Sequence, residues 1–171
     1  LITFVFQAVS YEFQSKAGNI LGKQTFRIFL TLNGALAPLL IGTAVGTFFT
    51  GSAFTVDKAA VGNISSPVIS RWANEWHGLE AVTNLFNVEF GLMVTMLAVS
   101  LGALYLINNV DSDKLAQQLR RSLMVCFGLF LILFVVVCYH LITMEGFAVD
   151  ASGEVFMQKG KYFANLVEMP A

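Results

Sequence analysis

Charge is what this chain most conspicuously lacks. Asp, Glu, Lys and Arg make up 12% of its 171 residues, against about 25% in a typical soluble domain. The net charge is −1, and there is no basic excess of the kind a nucleic-acid surface needs. Cysteine is scarce as well. Cys126 and Cys138 lie twelve positions apart in one apolar stretch, about 18 Å along a helix axis, too far for a disulfide within it. They read as small apolar residues and say nothing of redox compartment. The sequence has no P-loop, GxSxG, CxxC or HExxH, so the commonest soluble-enzyme chemistries have no signature here. It has no internal repeat and no low-complexity run. Leu1 to Val9 is apolar but too short to span a bilayer, and it lacks the basic flank and cleavage site of a signal peptide. It is expected to be the last turns of a helix whose start lies outside this sequence.

What is present is apolar surface. Hydrophobic residues make up 56% of the chain, with 16 phenylalanines, and the mean hydropathy is +0.70. That composition belongs to integral membrane proteins. From Ile28 to Thr50 there is no charged side chain. Those positions give about 34 Å of helix, enough for a hydrocarbon core of about 30 Å. Gly34, Pro38, Gly42, Gly46 and Thr50 recur every fourth position and form a row of small residues on one face. Such a row lets another helix come close, as a packing groove within a bundle or as a GxxxG dimer seam. Pro38 removes the hydrogen bond to the carbonyl of Gly34, which predicts a kink there.

Taken in order, residues 1–10 are expected to end a membrane helix, and 11–27 to form a short polar link. Residues 28–50 are the first complete span and 51–76 a polar loop with Gly51, Gly62, Asn63, Pro67, Trp72 and Trp76. Tryptophans at such a junction suit the membrane interface. The second span is expected from about His77 to Ile107, long enough that it must tilt or project. A turn at 108–113 leads to a helix with a polar start, KLAQQLRR, capped by Ser112 or Asp113, that spans 122–143. The tail, 144–171, contains GEVFMQKGKYF, which suits a short hairpin or an interfacial piece. The links 11–27 and 108–121 each hold three Lys or Arg. The positive-inside rule therefore puts both links in the cytoplasm and the 51–76 loop and the tail outside. The expected architecture is an all-α polytopic bundle, a single membrane domain of about three complete spans.

Few polar groups enter the apolar segments. Glu89 is the most conspicuous, because an ionised carboxylate at mid-membrane must be protonated, paired or hydrated. It reads as a proton-relay or ion-path carboxylate, or else as a Glu near the outer interface or a protonated, hydrogen-bonded structural Glu. His77, Glu80, Asn84 and Asn87 are spaced by three, four and three, which on a helix aligns them along one face. Such a stripe could line a hydrated path or meet a partner subunit. His77 and Glu80 would need further ligands to hold a metal, and none stands nearby in sequence. Asn33 and Thr31 are expected to hydrogen-bond between helices. His140, near the outer end of the last span, reads as an interfacial histidine, with haem ligation as the other use of a lone His in a bundle.

Several stretches together resemble subunit II of the cytochrome bd-type quinol oxidases: Glu12 to Lys16, Ala37 to Gly46, Phe54 to Asp57, Asn87 to Leu92 and Gly102 to Leu106. The family's usual Arg is Gln14 here, and its usual Asn is Thr47. The resemblance covers most of the chain as a middle portion of that subunit. It implies a complex in the bacterial inner membrane that oxidises quinol at the outer face, reduces oxygen to water and generates proton-motive force. Haem b and haem d are then expected in the partner, the haem-bearing subunit I, with none in this chain. Some members hold a structural quinone. The implied role is to stabilise the complex and help shape proton or oxygen paths, with no catalytic or metal-ligating residue of its own. His140 matches no haem ligand of the family. The alternative is a transporter or permease fragment with Glu89 and the 77–87 polar face in its substrate or ion path. A purely structural membrane module is the third reading.

Overall fold

The computed structural model describes residues 2–16, 18–62, 68–150 and 152–167. Four helices carry the architecture: α1 (Ile2–Phe13), α2 (Gly22–Thr50), α3 (Leu85–Asn109) and α4 (Asp113–Thr143). The last three are each long and apolar enough to cross a membrane. They pack in chain order, α1 on α2, α2 on α3 and α3 on α4. The chain is therefore an all-α membrane bundle with minor strands. Two ends can be distinguished. The basic end holds the start of α2 and the α3–α4 turn. The opposite end carries two β-hairpins and is called the hairpin end below.

The second span does not begin at His77. His77 (φ 50°) and Gly78 (φ 91°) take left-handed backbone conformations, which an α-helix cannot contain. A 3₁₀ turn follows at Leu79–Thr83, and Asn84 is extended. The side chain of Asn84 then accepts from the Phe86 amide at 3.0 Å and caps α3. The span is thus 25 residues, about 38 Å at 1.5 Å per residue. The other two spans extend beyond their apolar runs. The polar stretch before Ile28 is already helical from Gly22, and KLAQQLRR is the first part of one unbroken 31-residue α4. Pro38 lies inside a continuous α2.

The row of small residues on α2 is a packing groove over part of its length. A Cβ built on Gly42 would lie 2.6 Å from the Cα of Gly91, and one on Gly91 would lie 2.7 Å from the Leu39 carbonyl oxygen. Gly46 meets Asn87 in the same way. The α2 and α3 backbones therefore touch where both lack side chains. Gly34 has open space around it. Toward the hairpin end an aromatic and aliphatic core closes the bundle. Phe86, Met93 and Val137 are buried there against Phe49, Phe90, Phe130 and Leu141.

The described residues of the 51–76 segment include paired strands. β1 (Phe54–Val56) pairs antiparallel with β2 (Ser70–Trp72), with Phe54 opposite Trp72. Of the turn residues read there, Asn63 and Pro67 lie outside the described residues. In the tail, β3 (Glu145–Val149) and β4 (Val155–Lys159) make a second hairpin, followed by a short α5 (Lys161–Val167). Tyr162 of α5 donates its hydroxyl to the Phe49 carbonyl at 3.1 Å, and its ring meets Phe49 edge-on at 5.6 Å. The tail is thereby fastened to the end of α2.

Candidate functional site

The polar groups read from the sequence do not form one stripe. The structure sorts them into two clusters on different sides of α3, because residues 77–84 are not part of that helix and Asn87 and Glu89 project in different directions.

The first cluster lies between α2, the 3₁₀ turn and the start of α3. Asn87 is 2% exposed. Its amide nitrogen donates to the Ala81 carbonyl at 3.1 Å, and its oxygen accepts from the Thr50 hydroxyl at 3.0 Å. One side chain thus ties three segments together, in the space that Gly46 leaves. Glu80 folds back, and its Oε2 accepts from the Gly78 amide at 3.0 Å. Its Oε1 is buried with no protein partner. A cavity of about 190 Å³ opens here, lined by Thr50, Ser52, Glu80, Thr83, Asn84 and Asn87 among others. The lining is about half polar and suits water or a hydrogen-bond donor facing Glu80. Glu80, Asn84 and Asn87 are therefore brought together. His77 is exposed, contacts the Glu75 carbonyl through Nδ1, and lines a neighbouring cavity with Trp72, Thr43 and Thr47 instead.

The second cluster was not foreseen. Glu89 faces α4, where its Oε2 lies 2.7 Å from Nδ1 of His140. Their side chains are 17% and 39% exposed, respectively. Glu89 stands four residues into α3 and His140 three residues before the end of α4. The pair therefore sits about one turn inside the hairpin end, well short of mid-bundle. A carboxyl group and an imidazole at this distance are hydrogen-bonded. This answers the cost of a carboxylate in an apolar span by pairing. His140 is thus more than a lone interfacial histidine.

Asn33, 4% exposed, does bridge helices, donating to Gln7 Oε1 on α1 at 2.6 Å. Thr31 does not, since its hydroxyl bonds the Arg27 carbonyl within α2 at 3.0 Å. Among the described residues, no three His, Cys, Asp or Glu side chains come together as a metal site. Glu89 and His140 supply only two of the ligands that a zinc-type site needs. Cys126 and Cys138 are both free thiols.

Apolar spans, glycine-mediated helix contact and a Glu–His pair at one end are the features of a membrane-embedded helix bundle. No curated protein matches the chain. The family model of cytochrome bd terminal oxidase subunit II matches residues 1–168, nearly its whole length, and the chain belongs to that family.

Proposed function

We propose that this chain, a subunit of a terminal oxidase, serves a complex in the bacterial inner membrane that oxidises quinol and reduces oxygen to water, generating proton-motive force. In this reading electrons pass through haem b and haem d of a partner, the haem-bearing subunit I. This chain braces that subunit within the lipid membrane and contributes polar groups to a proton path. A structural quinone belongs to the same proposal.

The observation that carries the reading is the family match across residues 1–168. The placement of the polar side chains supports it. Asn33, Asn87, Glu89 and His140 are spent on bonds between segments, as expected of a subunit that holds helices in place. The basic residues of the 11–27 and 108–121 links put the hairpin end outside by the positive-inside rule.

The test is a reduced-minus-oxidised visible spectrum of the complex purified through a tag on this chain from its native membrane. Bands of b- and d-type haem are expected. A colourless preparation with this chain stable alone would overturn the proposal.

A further inference from the structure

We infer that the outward face of the β3–β4 hairpin is a protein interface, covered by an extramembrane surface of the haem-bearing partner that is apolar with a basic rim. The inference rests on the oxidase reading for the identity of that partner. The face itself is read from the strand register.

Successive side chains of a strand point to opposite sides, so the pairing sorts this hairpin into two faces. Phe147 stands opposite Met157 and Val149 opposite Val155, and all four share one face. Gly146, Ala148, Phe156 and Gln158 share the other. Gly146 and Ala148 are buried. A Cβ built on Gly146 would lie 3.0 Å from the Lys161 side chain and 3.1 Å from the Tyr162 ring. The two smallest residues of β3 thus let α5 close over that side. The side left outward is the apolar one. Phe147, Val149, Val155 and Met157 are each more than half exposed. The polar pair on this face, Glu145 and Lys159 at 3.9 Å, sits at the α4 end of the ladder. A hairpin turned to water would alternate the other way, with polar side chains out. Four adjoining apolar side chains on so short a ribbon mark a surface that something covers.

Backbone and charge both choose a protein over the bilayer. A two-stranded ribbon leaves one edge of each strand without a neighbouring strand, and hydrocarbon cannot satisfy those amides and carbonyls. The face therefore does not sink into the lipid core. The headgroup layer is held by other side chains, chiefly Trp, Tyr, Lys and Arg. The first hairpin has them in Arg71 and Trp72. The outward face of the second has no Trp or Tyr, and its Lys159 is turned to Glu145. The turn that joins β3 to β4 carries Asp150 and Glu154 and no basic residue, and a negatively charged lipid surface repels such a tip. Phe and Met with acid at the margin suit a partner whose central contact is apolar and whose rim is Lys or Arg. Phe147 also borders Gly51 at the end of α2, so the covering surface meets the bundle where the spans end.

The experiment uses the complex purified through a tag on this chain. The photoreactive residue p-benzoylphenylalanine replaces Val155 or Met157 on the outward face, and Gln158 on the packed face as a control. Illumination is expected to join the first two positions to the haem-bearing subunit, identified by mass spectrometry of the adduct, and to join Gln158 to no second chain. In the double variant Val155→Lys with Met157→Ser, haem should leave the tagged chain in detergent about tenfold faster, because interface changes act mainly on dissociation. Adducts with lipid alone, with a second copy of this chain or with nothing would overturn the interface, as would wild-type haem retention in the double variant. If the wild-type complex carries no haem, the oxidase reading fails instead. Adducts to a stoichiometric protein subunit of that complex would then still support a protein-covered face, and adducts to lipid would overturn it.

Discussion

Gly34 and Gly42 lie on one face of α2, about two turns apart, and the structure treats them differently. Alanine at Gly42 would drive a methyl into the α3 backbone at Gly91, where nothing flexible can yield. That overpacking is expected to cost about 1–3 kcal/mol, read as a lower thermal midpoint of the purified complex. Alanine at Gly34 meets open space and should change stability by no more than about 1 kcal/mol, in the favourable direction. Equal effects at both positions would refute the contact geometry. The row of small residues was legible in the sequence, but which members touch was not, because that depends on where α3 crosses. Asn87→Ala leaves the Thr50 hydroxyl and the Ala81 carbonyl without this partner and is expected to cost about 1–3 kcal/mol. At the basic end, Lys16 hydrogen-bonds Glu12 at 2.8 Å. That bond, and then the charge of Lys16, holds the Glu12 carboxyl below the usual carboxylate range. A depressed folded pKa means the pair's stabilisation is present above the ordinary range and fades as pH falls through the lowered value. The pair is exposed, so solvent screening keeps its contribution small. In Lys16→Met, the Glu12 titration followed by NMR should move upward.

Among the elements, the three spans were readable because an uncharged apolar run has few other uses. Their ends were harder to read. Helical spacing of His77, Glu80, Asn84 and Asn87 is a correct observation about the sequence, yet Gly78 and the cap at Asn84 break the helix between them. Spacing aligns residues on a face only if the backbone is continuous. The Glu89–His140 bond joins residues 51 positions apart, and local periodicity cannot report such a contact. A signal was nonetheless present: each is the one His or acidic residue in the half of its span nearer the hairpin end, and the two spans are joined by a short turn. The tail is an element whose role depends on one long-range bond. Tyr162→Phe removes the hydroxyl that reaches the Phe49 carbonyl while keeping the ring contact. It should lower stability by about 0.5–1.5 kcal/mol and speed proteolysis within 144–167, with the spans intact. Unchanged proteolysis would show that the ring contact alone fastens the tail.

As a whole molecule the chain is an open row. Its accessible surface is 12,653 Å², about half as large again as the roughly 8,300 Å² expected of a compact protein of its mass. Many large hydrophobic side chains contribute to it. Only 6% of the most apolar stretch of α4 is buried, and Met124, Ile132, Val135 and Tyr139 stand exposed along it. A bilayer or a partner subunit must cover such a face, which is the physical reason that composition alone could announce a membrane protein. Coverage by lipid requires the helices to cross, and crossing has a checkable consequence. Three spans in alternation put the 14–21 and 110–112 turns on one side and the β3–β4 hairpin on the other. Ser15, Ser112 and Ser152 are exposed reporters of those three places. In a chain with Cys126 and Cys138 replaced by alanine, Ser15→Cys and Ser112→Cys should react with an impermeant maleimide from the same side. Ser152→Cys should react only from the opposite side. Labelling of Ser112→Cys and Ser152→Cys from one side would mean that α4 does not cross.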